Sequence, residues 1–165
     1  MGVGGLGHLA IQFAAKMGCR VIVLSGSDRK RDESKRLGAH EFIATKDAKE
    51  LKTEHPITRL LVTTSAQPEW AKLIPILSPR AIIYPLSVAD GDFKIPYMPL
   101  IAQGITVQGS VVATRSVHRR MLEFADFHQI KPVTEIFELN EKGITEAMEK
   151  LDQGNVTYRA VLVNK

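Results

Sequence analysis

Gly2-Val3-Gly4-Gly5-Leu6-Gly7 runs without a break into His8-Leu9-Ala10-Ile11-Gln12-Phe13-Ala14-Ala15-Lys16-Met17. Glycines at 2, 4 and 7 give the spacing G-x-G-x-x-G at the mouth of a periodic apolar segment. In a strand–turn–helix unit each glycine has its own task. The first permits a tight turn, the second lets backbone approach a pyrophosphate, and the third lets the helix lie close on a sheet. The helix N-terminus adds unpaired N–H groups and the positive end of a dipole. A glycine-rich turn opening a helix also arises for packing alone, so the motif by itself leaves both readings open. The unit calls for a hydrophobic strand ahead of the glycines, and only Met1 precedes them.

The 165 residues fit a single domain, with 44% hydrophobic and 24% charged residues supplying an ordinary soluble core. One cysteine, Cys19, excludes an intramolecular disulfide and a cysteine-cluster zinc site. That usage fits a reducing compartment, and a cytoplasmic location is expected. No run of about 18 apolar residues and no basic-then-apolar leader is found, so neither a membrane span nor a secretory signal is expected. A net charge of +4 without a long basic block argues against a nucleic-acid partner.

Beyond the turn, Leu9, Phe13 and Met17 recur at helical spacing beside Ala10 and Ala14, and Gly18 closes the helix. Residues 20–24 form a β-branched apolar run typical of a strand buried on both faces. Asp28 then caps a polar helix closed by Gly38, and 41–44 is the next strand. The alternation continues: a short helix or turn at 46–52, a strand at 59–63, a helix at 68–77 with Pro68 in its first turn, a strand at 81–84. A loop with a short helix at 99–103 leads to a strand over 105–112, and Ser116 caps the helix that follows. A strand at 135–139, a helix capped by Asn140 and a strand at 159–163 complete the chain. Such alternation specifies a Rossmann-type doubly wound parallel α/β sheet, here lacking its first, central strand.

The end of the second strand of such a sheet meets the adenosine ribose. An acid there bonds the 2′-OH of NAD, whereas small polar and basic residues accommodate the 2′-phosphate of NADP. The position falls at Ser25-Gly26-Ser27-Asp28-Arg29-Lys30, where two hydroxyls and two cations suit a phosphate dianion. NADP is the expected cofactor. The alternative is a plain turn followed by a solvated basic helix face, with Asp28 repelling a phosphate.

Gly-Val-Gly-Gly-Leu-Gly-His-Leu-Ala-Ile-Gln-Phe-Ala, then Ser-Gly-Ser-Asp-Arg-Lys-Arg, then Leu37-Gly38-Ala39 and Tyr158-Arg159 together resemble the cofactor domain of zinc-dependent medium-chain alcohol dehydrogenases, in their NADP-using, cinnamyl-alcohol-dehydrogenase-like branch. The resemblance covers essentially the whole of 1–165. It implies that Gly2, Gly4, Gly5, Leu6 and Gly7 line the pyrophosphate turn. It also implies that Ser25, Gly26, Ser27, Arg29 and Lys30 surround the 2′-phosphate, and that Thr63 and Thr64 lie near the ribose. Leu86-Ser87 and Ser110-Val111-Val112 would meet the nicotinamide amide, Arg159 would approach the pyrophosphate, and the strand over 105–112 would pair across a homodimer. Hydride would pass between the nicotinamide and a small aldehyde or alcohol.

The family's zinc ligands, proton relay and four-cysteine site are absent from these residues. Cys19 reads as a core residue, and the five histidines have no metal-ligand spacing, with His8 reading as a surface cap. No catalytic residue and no metal ligand are therefore assigned, zinc is expected only in a full-length form, and the chain alone is not expected to turn over. The missing strand points to a fragment, or to a gap filled by another segment, a partner or a distorted sheet. A non-catalytic NADP-binding or dimerisation fragment and a zinc-free quinone or enoyl reductase relative are the competing readings.

Overall fold

The computed structural model describes residues 1–89 and 91–164. Helix α1 (Gly7–Lys16) follows the glycine turn directly. Strand β1 (Ile22–Ser25) pairs in parallel with β2 (Glu41–Ala44), joined through a 3₁₀ turn (Asp28–Lys30) and α2 (Arg31–Arg36). Strand β3 (Ile57–Val62) pairs in parallel with β4 (Leu77–Pro85), across α3 (Trp70–Leu73) and a second 3₁₀ turn (Ile74–Ile76). Helix α4 (Tyr97–Gln103) leads to β5 (Thr106–Val107), a parallel neighbour of β4. Helix α5 (Arg115–Phe127) precedes a separate parallel pair, β6 (Thr134–Glu138) and β7 (Arg159–Val163), connected by α6 (Glu141–Asp152). Parallel strands joined by helices make this the expected Rossmann-type α/β architecture.

The expected gap is visible. β1 and β3 are not paired with each other, and only Met1 and Gly2 stand between them. Met1 N donates to Leu61 O at 2.7 Å and Met1 O accepts from Thr63 N at 2.9 Å, the two bonds of a parallel rung opposite Val62. On the other side Gly2 N donates to Leu24 O at 2.9 Å. Through this rung the strand order becomes β2, β1, Met1–Gly2, β3, β4, β5. The core lies on both faces. Leu24, Leu60, Leu73, Ala81 and Ile83 form one cluster under α3, while Val3, Ile11, Val23, Phe42 and Tyr158 form another under α1.

Several expectations from sequence are corrected. The buried residues of α1 are Gly7, His8 and Ile11, while Met17 of the expected Leu9–Phe13–Met17 stripe is exposed. Cys19 is exposed rather than core. The strand expected over 105–112 shrinks to Thr106–Val107, and the β4 ladder stops at the bond from Gln108 N to Ile83 O at 2.9 Å. The segment 46–52 is irregular, and the helix expected at 68–77 begins at Trp70 and gives way to β4 at Leu77. Ser27 and Thr114, not Asp28 and Ser116, hold the N-cap positions of their turns, neither with a side-chain cap bond. Asn140 does cap α6, its Oδ1 accepting from Gly143 N at 2.8 Å.

Candidate nucleotide-binding turn

Strands β1, β3 and β4 end at Ser25, Val62 and Pro85, on the edge that carries the glycine turn. In open parallel sheets ligands bind outside these carboxyl ends. Two adjoining clefts open there, both bordered by Thr64, Ala66 and Gln67. One, about 270 Å³, also touches Gly2, Gly26 and Thr45. The other, about 470 Å³, reaches Pro85, Ser87 and Phe93.

The glycines of the turn fall into two physical kinds. Gly2 has a left-handed backbone, φ 91°, and a Cβ there would come within 3.1 Å of Thr63 O. A Cβ on Gly7 would overlap the Gly2 carbonyl, so the start of α1 lies directly on the turn. One on Gly5 would come 2.8 Å from Tyr158 O and 3.0 Å from Arg159 Nε. A Cβ on Gly4 or Gly26 would meet nothing within 4 Å. Protein packing therefore requires the first set, while the bareness of Gly4 keeps space for something outside the chain. The N–H groups of Gly5, Leu6 and Gly7 have no acceptor among the described residues and stand at the positive end of α1. This is a cradle that fits a pyrophosphate.

The remaining candidates divide. Thr63 Oγ1 lies 2.9 Å from the carbonyl oxygens of both Met1 and Gly2, so its one proton serves the turn itself. Thr64 and Ser87 border the clefts. Arg159 lays its guanidinium beside Gly5, which places a cation at the turn. Ser25 and Ser27 flank the exposed Gly26, and Arg29 Nε lies 3.5 Å from Ser27 Oγ. The Asp28 carboxylate is engaged by Arg31, whose Nε donates at 2.8 Å, so the feared repulsion of a phosphate is countered within the same turn. Lys30 Nζ donates to Val3 O at 2.5 Å and sits 4.8 Å from the Tyr158 ring centroid. Burial holds its ammonium below the usual lysine range, against the raising influence of Glu33. Ser110 and Val112 are exposed and lie beyond β5.

Sequence reading missed the residue beneath the turn. His8 is fully buried. Its Nδ1 lies 3.1 Å from Gly4 O, and its Nε2 lies 3.1 Å from Val133 N. A carbonyl can only accept and an amide can only donate, so the proton sits on Nδ1 and Nε2 is the acceptor. Burial pushes the imidazole pKa down, keeping that neutral form, with the Gly4 carbonyl opposing. The ring stacks on Tyr158 at 4.5 Å, and Tyr158 OH donates to Glu33 Oε2 at 2.6 Å. Burial, followed by the hydrogen bond to Glu33, raises the phenol pKa. Nothing local marks His8, because Val133 and Tyr158 lie more than a hundred residues away. Among the described residues no group of three or more His, Cys, Asp or Glu side chains is arranged to hold a metal ion.

Fold and turn together define a Rossmann-type α/β unit with a glycine turn at the carboxyl ends of its strands. The chain belongs to the zinc-binding dehydrogenase family, whose pattern matches residues 5–126. It is 32% identical over 164 residues to cinnamyl alcohol dehydrogenase 8 of Arabidopsis thaliana, covering 98% of this chain and 45% of the relative. It is likewise 32% identical to aldehyde reductase AdhA of Synechocystis, covering 98% and 48%. The structure superposes on a cinnamyl alcohol dehydrogenase of Sorghum bicolor with a TM-score of 0.88 at 31% identity, covering 98% of this chain and 46% of that one. The protein CAD of Helicobacter pylori, solved in complex with NADP(H), shares the fold with a TM-score of 0.80 at 22% identity. The chain thus spans about half the length of the relatives it matches.

Proposed function

We propose that this chain is the NADP(H)-binding domain of a zinc-type alcohol dehydrogenase that interconverts aldehydes and primary alcohols. The observation that carries the reading is the contrast within the turn. Gly2, Gly5 and Gly7 are demanded by protein contacts, whereas Gly4 faces open space at the carboxyl ends of the parallel strands.

When bound, the nicotinamide supplies hydride transfer. The chain's own residues do the holding. Gly4, Gly5, Leu6 and Gly7 present backbone N–H groups to the pyrophosphate, and Arg159 adds a positive charge beside them. Ser25 and Ser27 offer hydroxyls to a 2′-phosphate, and Arg29 and Lys30 supply charge next to it. Thr64 and Ser87 border the clefts that receive the ribose and the nicotinamide end. Thr63 and His8 act from behind, fixing the turn rather than touching the ligand. The exposed Val111 and Val112 support a homodimer contact through 105–112, and a single cysteine supports a reducing, cytoplasmic setting.

Calorimetric titration with NADPH and NADH tests the reading. NADPH should bind more tightly, and Ser25→Asp should reverse the preference. Equal affinities, or tighter NADH, would refute the role given to Ser25, Ser27 and Lys30. Aldehyde-dependent NADPH oxidation by this chain alone is expected to be absent.

A further inference from the structure

The chain enters β7 through a strained corner. Tyr158 has a left-handed backbone, φ 61°, and Arg159 N donates to Thr157 O at 2.8 Å across it, closing a three-residue turn. A bulky side chain at such a φ is costly and persists only where its surroundings require it. One end of the corner is tied down by Thr157 N, which donates to Glu135 Oε2 at 3.1 Å. From the other end Arg159 lies beside Gly5, while the buried Tyr158 ring stacks on His8 beneath the glycine turn. The phenol also meets a third element, its OH donating to Glu33 Oε2 of α2 at 2.6 Å. Lys30, three residues before Glu33, brings its Nζ to 4.8 Å from the same ring while donating to Val3 O. One side chain thus stands behind both cations assigned to the cofactor, Arg159 at the pyrophosphate and Lys30 at the ribose.

We propose that Tyr158 and Glu33 are positioning residues that aim the Lys30 ammonium at a 2′-phosphate and so set the preference for NADPH over NADH, an inference that rests on the cofactor reading above. A lysine ammonium on a flexible four-carbon stem samples many positions when nothing restrains it. Lys30 is restrained at both ends. Its backbone leads into α2, which Glu33 ties to the phenol, and its ammonium rests against the ring of that same phenol. The Val3 carbonyl takes one of the three ammonium protons and leaves the others for a phosphate. Burial raises the phenol pKa, so the hydroxyl keeps the proton it donates. Both residues act through Lys30, because Tyr158 is 7% exposed and its hydroxyl is spent on Glu33. NADH has no 2′-phosphate for Lys30 to meet, so losing the Tyr158–Glu33 bond weakens one nucleotide and spares the other.

The test is calorimetric titration of the wild type, Tyr158→Phe, Glu33→Ala and their combination, each with NADPH and with NADH. Tyr158→Phe keeps the ring and its stack on His8 and removes only the hydroxyl. It should weaken NADPH binding about tenfold and leave NADH within about twofold. Glu33→Ala, at a half-buried position of α2, should do the same, and the double variant should lose no more than either alone, since one bond serves both. Glu33→Gln keeps an oxygen for the phenol to donate to and should restore most of the NADPH affinity. Without nucleotide, acetylation of Lys30 by acetic anhydride, read by peptide mass, should run about threefold faster in Tyr158→Phe than in the wild type. Equal losses for both nucleotides would mark a merely structural role and overturn the proposal. Additive losses, an unchanged acetylation rate, or an unchanged affinity ratio where the wild type prefers NADPH would overturn it as well. A wild type without that preference would refute the cofactor reading itself, and the proposal with it.

Discussion

The pairs β3–β4 and β6–β7 are both parallel and both connected by a helix, yet they solve different problems. In β3–β4, Leu60, Val62, Ala81 and Ile83 are buried, the last two completely, and α3 seals the cluster with Trp70 and Leu73. In β6–β7 only Phe137 is buried, while Ile136 remains 57% exposed and Met148 and Leu151 of α6 lie open. The same secondary structure thus carries the fold in one place and only a local unit in the other. What joins them is α1: His8 accepts from Val133, Gln12 Nε2 donates to Lys131 O at 3.0 Å, and Tyr158 stacks on the imidazole.

Truncating the two pairs measures the contrast most directly. Ile83→Ala should lower stability by about 3 kcal/mol in urea unfolding, since it empties a site with no access to water. Ile136→Ala should cost less than about 1 kcal/mol, and equal losses would break the comparison. Within the turn, Gly7→Ala forces a methyl against the Gly2 carbonyl and should cost about 1–3 kcal/mol together with nucleotide affinity. Gly4→Ala should leave stability within about 0.5 kcal/mol, because a Cβ there meets no protein atom within 4 Å, while on the proposed function it should weaken NADPH binding at least tenfold.

Acid sharpens the comparison at the joint. His8 is held below its ordinary value of 6.5 in the native state. Above 6.5 neither state is protonated and its contribution is complete. As pH falls from there toward the lowered native value, the unfolded chain takes up the proton first and stability declines, by at most about 1.4 kcal/mol per pH unit. Unfolding measured from pH 7.5 downward should show that slope, and His8→Gln should flatten it. The smallest expected effect is Asn140→Ala, about 1 kcal/mol confined to α6, read from amide exchange of Gly143 and its neighbours.

What the sequence disclosed follows the same division. The glycine turn, α1, β2 and the Asn140 cap are encoded within a few residues, and local spacing sufficed to read them. The separation of β1 from β3 was expected from the position of the glycine turn, with only Met1 before it in these residues. The strand over 105–112 was overextended, because the β-branched run Ile105–Val112 scores as a strand whether or not a neighbour reaches it, and the bonds to β4 end at Gln108. Cys19 and Met17 were misread for a related reason: both line the slot between β1 and β3 rather than a filled core. His8 and Tyr158 depend on contacts between distant segments, which no periodicity announces.

The fixed proton on His8 has a practical corollary. An imidazole locked in one tautomer shows two widely separated ring-nitrogen resonances, whereas a ring exchanging between tautomers shows averaged ones. The His8 signals of a nitrogen-labelled sample therefore act as a gauge of whether α1 still clasps the β6–β7 unit, readable without ligand, substrate or denaturant.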